Sequence, residues 1–101
     1  MDQQHRHKVL QSIMWDYSIS AIDMEKLLNG KIEKAGHYTR QKLFAKMLTG
    51  LPWYTIIQLL PVENIKEMLT DEVIRALWPK SVKKQYEYVR KRLQEALPDT
   101  R

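Results

Sequence analysis

The sequence has no cysteine among its 101 residues. That absence excludes a disulfide scaffold, thiolate metal sites and cysteine nucleophiles, and it fits a reducing cytosol. Long apolar runs are also missing, the longest being a handful of residues, so no segment is expected to span a bilayer. The opening Met1-Asp2-Gln3-Gln4-His5 lacks the apolar stretch of a secretory signal, which points to a cytoplasmic protein. With only three glycines, there is no Gly-rich loop to cradle a phosphate, no Gly/Ser linker and no low-complexity tract. No four-residue stretch alternates apolar and polar side chains strongly enough to demand a strand.

What is present is a 44% hydrophobic chain of single-domain length, sufficient for one packed core. Apolar positions recur at helical spacing between capping residues and Gly or Pro stops. The pattern predicts an all-α fold, a compact bundle of six or seven short helices with a longer amphipathic C-terminal helix. Residues 7–97 form the expected single domain, flanked by flexible termini at 1–6 and 98–101.

The first helix is expected from His7 to Met14, with Val9, Leu10, Ile13 and Met14 inward. Ser20 with Asp23 resembles a capping box for a second helix starting near Ala21, which buries Met24, Leu27 and Leu28 and stops at Gly30. Lys31 to Tyr38 shows no period and is assigned as a loop. Thr39 caps a third helix carrying Leu43, Phe44, Met47 and Leu48, ended by Gly50. Pro52 opens a fourth, through Trp53, Ile56, Ile57 and Leu60, which Pro61 closes. A fifth runs from Glu63 to Leu69, and a sixth, capped by Thr70, has Asp71 and Glu72 in its first turn and buries Val73, Ile74 and Leu77. Ser81 is the expected cap of the last helix, which reaches about Leu97 with Val82, Tyr86, Val89, Leu93 and Ala96/Leu97 in one stripe.

No catalytic set emerges. His5 and His7 lack the further ligands that a metal site needs, and His37 stands in a loop with no nucleophile or carboxylate pair beside it. The chain therefore reads as a non-enzyme with no metal and no cofactor. Asp16, between Trp15 and Tyr17, suits a structural acceptor better than an acid catalyst. Trp15, Trp53 and Trp78 all lie at helix ends, where wedging helices together is the default role, and two of the three are expected mainly inside.

Charge is the more telling feature. The run from Lys80 to Arg92 holds six basic residues against one acid, Glu87, a local excess equal to the +5 of the whole chain. Pairs of Glu87 with Lys83 or Lys91 along the helix are worth only about 0.3–0.5 kcal/mol and do not neutralise the patch. Such a face can be plain solvated surface, can meet an acidic protein surface, or can lie against nucleic acid. A helix-turn-helix built on residues 63–69 and 71–77 fits poorly, because the second helix opens on two acids and offers only Arg75 to a base edge. The expected partner-binding residues are Lys80, Lys83, Lys84, Arg90, Lys91, Trp78 and Arg40, with a protein partner ranked ahead of nucleic acid.

Several motifs in order carry a resemblance: Trp15-Asp16-Tyr17, Leu27-Leu28-Asn29-Gly30-Lys31, Tyr38-x-Arg40-x-x-Leu43-Phe44, Leu51-Pro52-Trp53-Tyr54, Leu69-Thr70-Asp71-Glu72-Val73-Ile74 and Tyr86-x-x-Val89-Arg90-Lys91-Arg92-Leu93. From Val9 to Leu97 the chain resembles an uncharacterised family of small all-helical bacterial proteins often encoded beside abortive-infection-type nucleotidyltransferase toxins. The resemblance implies a neutralising or accessory partner in a two-gene toxin–antitoxin or phage-defence module, with the neighbour as the enzyme. It singles out Trp15, Asp16, Tyr17, Arg40, Trp53, Tyr54, Tyr86 and Arg90 as recurrent positions. Trp78-Pro79 departs from the family, which more often has small, polar or basic residues there.

Overall fold

Side chains that can accept from free backbone amides decide where four of the helices begin. Asp2 accepts from the His5 amide at 2.8 Å, Ser20 from Asp23 at 3.1 Å, Thr39 from Lys42 at 3.2 Å and Thr70 from Val73 at 3.3 Å. The helices they start are α1 (Gln3–Ser12), α2 (Ala21–Leu28), α3 (Arg40–Gly50) and α6 (Asp71–Arg75). Proline stands before the other three, α4 (Trp53–Leu59), α5 (Val62–Met68) and α7 (Lys80–Ala96), and contributes a preset φ but no capping hydrogen bond. These elements come from a computed structural model that describes residues 2–13 and 19–97. Met14 and the Trp15-Asp16-Tyr17 motif lie outside the described residues, as do positions 98–101.

The all-α expectation holds, with one small addition. Residues 31–38, assigned as loop, contain a hairpin of β1 (Lys34–Ala35) and β2 (Tyr38–Thr39), antiparallel with Lys34 opposite Thr39 and Ala35 opposite Tyr38. Gly36 makes it possible, since its φ of 59° is the left-handed value that a tight two-residue connection needs. Strands this short leave no alternation to detect.

Several other boundaries differ, most by a residue or two. Residues 3–6, expected to be flexible, belong to α1, because Asp2 caps the helix ahead of His7. The last helix starts at Lys80 rather than after Ser81: the Pro79 carbonyl accepts from the Val82 amide at 3.0 Å, which places Ser81 inside the first turn. The sixth helix ends at Arg75, although Leu77 is buried as expected.

The core is built around α3, whose Leu43, Phe44, Met47 and Leu48 are all buried. This helix packs against α2, α4 and α6, and α7 closes the bundle against α5 and α6. Tyr86 and Leu93 are the buried members of the α7 stripe, while Val82, Val89 and Leu97 pack at its margin. Ala96, the alternative end of that stripe, is exposed. Trp53 meets Tyr86 edge to face, with ring centroids 6.2 Å apart and planes at 64°. On α4, Ile57 is 42% exposed. Ile56 and Leu60 already fill the inner face, so Ile57 shares the outer one with Tyr54.

Two predictions follow from these faces. Truncating Leu93→Ala should cost about 2–5 kcal/mol, because it opens a cavity under α7. Lys84→Ala, on the wet face, should change stability by no more than about 0.5 kcal/mol. Urea unfolding of the two variants measures both, and similar losses would mean that α7 is rotated from the arrangement described.

Candidate protein-docking ridge

The orientation of α7 follows from its buried stripe. At about 100° per residue, seating Tyr86 and Leu93 in the core turns Lys80, Lys84, Tyr88 and Lys91 to the opposite side. All four are exposed, Tyr88 by 64%. Immediately before the helix, Trp78 is 77% exposed, the most open large apolar side chain among the described residues. Trp53 is half-buried and Trp15 lies outside the described residues, so Trp78 is the exposed one of the two described tryptophans.

The six cations of the last helix separate into two groups. Lys80, Lys84 and Lys91 project from the outer face, with Lys83 half-buried on its flank, and none of these lysines forms an ion pair among the described residues. Arg90 is turned toward α6, where its guanidinium donates to the Asp71 carboxylate. Arg92 pairs with Glu95 one turn on, at 3.3 Å. Arg90, one of the expected partner-binding residues, therefore ties α7 to α6, and together with Asp71, Arg75, Glu87 and Lys91 it lines an open groove of about 570 Å³ between those helices.

Arg40, another of the expected partner-binding residues, also has a partner within the fold. Its Nε donates to the Leu28 carbonyl at 3.0 Å, so its charge caps the C-terminus of α2 on the side of the molecule where α2 and α3 meet. It supports the fold and is not part of the α7 ridge. Tyr88, by contrast, was missed: it lies two positions from the buried Tyr86, about 200° around the helix, so the register that buries one exposes the other.

The histidines are also resolved. His7 Nε2 lies 3.2 Å from Glu25 Oε2, and Arg6 Nε donates to Glu25 Oε1 at 2.9 Å, joining α1 to α2. His37 is exposed at the hairpin turn. Among the described residues no group of three His, Asp or Glu side chains could hold a metal ion. Nor is any described helix long and apolar enough to cross a membrane.

Comparison with family models, with curated proteins and with solved structures finds no match to the chain.

The Glu25 cluster sets a pH dependence. Burial pushes its carboxyl pKa up, but hydrogen bonds from Arg6 and His7 outweigh that effect, and the net pKa lies below the ordinary 4.5. A pKa lowered in the folded state adds stability above the unfolded value and loses it as pH falls through the folded one. In urea unfolding, wild type should therefore exceed Glu25→Gln in stability at neutral pH, and the gap should close on acidification below about 4.5. A gap that persists unchanged at acid pH would show that the carboxylate charge is not what joins α1 to α2.

Proposed function

We propose that this chain is a non-enzymatic, cytoplasmic protein-binding module, the antitoxin-like or accessory partner of a nucleotidyltransferase-like toxin in a bacterial defence module. The observation that carries the binding role is the outer face of α7, with Lys80, Lys84 and Lys91 around an exposed Tyr88 and Trp78 at its N-terminal end. The resemblance of the sequence motifs to proteins encoded beside such toxins supports the choice of partner.

Tryptophan and tyrosine are the side chains that most often anchor protein interfaces, since each buries a large rigid surface while keeping one polar group to satisfy. Lysines around them attract an acidic surface and raise the rate of encounter more than the final affinity. From Lys80 to Lys91 the face runs about 16 Å along the helix, which suits one side of an interface of ordinary size. Acids also punctuate it: Glu87 and Glu95 lie on the same helix and Asp71 lies beside Arg90. A phosphate backbone would meet those carboxylates, whereas a protein surface can complement both signs.

The test is coexpression with the neighbouring open reading frame, followed by copurification and titration. A stable complex at micromolar concentration is expected, and Lys84→Glu/Lys91→Glu should weaken it by about tenfold or more, as reversal of two interface charges does. Arg90 is unsuitable for that test because its reversal would also break the contact with Asp71. Absence of a complex would overturn the reading. Binding instead to the chain's own promoter DNA, with a log–log salt slope near about −0.9 for each neutralised phosphate, would replace it with a DNA-binding regulator acting through the same helix.

A further inference from the structure

Helix α6 separates two grooves. The one toward α7 adjoins the ridge. The other lies between α6, α3 and β2, encloses about 710 Å³, and shares no lining residue with the first. Its floor is apolar, formed by Tyr38, Ala45, Val73 and Ala76. Val73 is buried and joins the core, but Ala45 and Ala76 carry only a methyl group each, so α3 and α6 can pack closely below while a gap stays open above.

The walls of this groove differ in charge. Lys42 and Lys46 stand one turn apart on the α3 side, and Glu72 stands on the α6 side. No ion pair joins Glu72 to either lysine among the described residues. The groove therefore presents an apolar trough with two unmatched cations along one edge. An occupant that satisfies it needs a row of apolar side chains with carboxylates beside them. An α-helix supplies that arrangement when apolar residues recur at i, i+3, i+4 and i+7 and Glu or Asp flanks them. A phosphate backbone would leave the floor uncovered and would face Glu72.

From this complementarity we infer that the α3–α6 groove is a second docking site, one that receives an acidic amphipathic helix of a protein partner. The apolar edge of that helix covers Ala45, Val73 and Ala76, and its carboxylates pair with Lys42 and Lys46. Because the groove and the α7 ridge have separate residues, each can fail without the other.

The experiment titrates the full-length ¹⁵N-labelled chain with a synthetic helical peptide of about 14 residues, roughly four turns, with leucines at helical spacing and glutamates beside them. The controls are a scrambled peptide of the same composition and a version with lysine in place of glutamate. Amide shifts should concentrate at Ala45, Val73 and Ala76, with a Kd of about 100 µM or tighter and at least about tenfold weaker binding of both control peptides. Ala45→Leu/Ala76→Leu, which fills the trough, and Lys42→Glu/Lys46→Glu, which reverses its edge, should each weaken binding about tenfold, whereas Lys84→Glu/Lys91→Glu should leave it within about twofold. Should the leucine variant fail to fold, the reversal of the two α3 lysines carries the test alone. Equal binding of the scrambled peptide, shifts centred on α7, or no binding up to about 1 mM would each overturn the inference. Loss of copurification in the α7 variant with peptide binding intact bears on the ridge alone; intact copurification with no peptide binding sinks the groove alone.

Discussion

Burial of Tyr86 against Trp53 is the contact on which the orientation of α7 depends. A helix of 17 residues has one rotational setting that seats Tyr86 and Leu93 together, and once they are seated every other side chain on α7 has its direction assigned. Burial also pushes the Tyr86 phenol up from its ordinary pKa, so the ring stays neutral in its apolar surroundings. The surface chemistry of α7 is in this sense a consequence of core packing: Lys80, Lys84, Tyr88 and Lys91 point outward because the opposite stripe is occupied.

Charge has two separate uses in this small bundle. Some cations hold elements together: Arg6 on Glu25 joins α1 to α2, Arg40 on the Leu28 carbonyl joins α3 to the end of α2, and Arg90 on Asp71 joins α7 to α6. These three are arginines, whose planar guanidinium can donate in a fixed direction while its stem packs along an apolar surface; one lysine does the same, Lys66, whose ammonium donates to the Leu97 carbonyl and ties α5 to the end of α7. Among the described residues, the cations without an ion pair on the outer face of α7 and along the α3 groove are lysines, which are flexible and well hydrated. Net charge alone, +5 over the chain, conceals this division.

The features legible in the sequence are those encoded within a few residues. Ser20, Thr39 and Thr70 announce helix starts because a cap acts on an amide three positions away, and the α7 stripe is visible because its period is its cause. The hairpin at Lys34–Thr39 escaped because strands of two residues carry no period. Hydrophobicity alone does not tell Ile56 from Ile57, and α4 buries the first while the second stays exposed. Arg40 and Arg90 were placed on the binding surface because their partners, Leu28 and Asp71, are distant in the chain and adjacent only after folding. The α3–α6 groove was invisible for the same reason, since Ala45 and Ala76 define a trough only when two helices bring them side by side.

The prolines that introduce α4, α5 and α7 have a dynamic consequence. A helix entered through proline has no side-chain acceptor holding its first free amides, so order in that turn rests on the helix's own backbone bonds and on tertiary packing. In α7 the packing residues begin at Val82, so Lys80 and Ser81 stand exposed ahead of them. Amide hydrogens there should exchange with solvent well before those around Tyr86. The exposed indole of Trp78 thus stands beside a first turn of α7 that no side-chain acceptor caps.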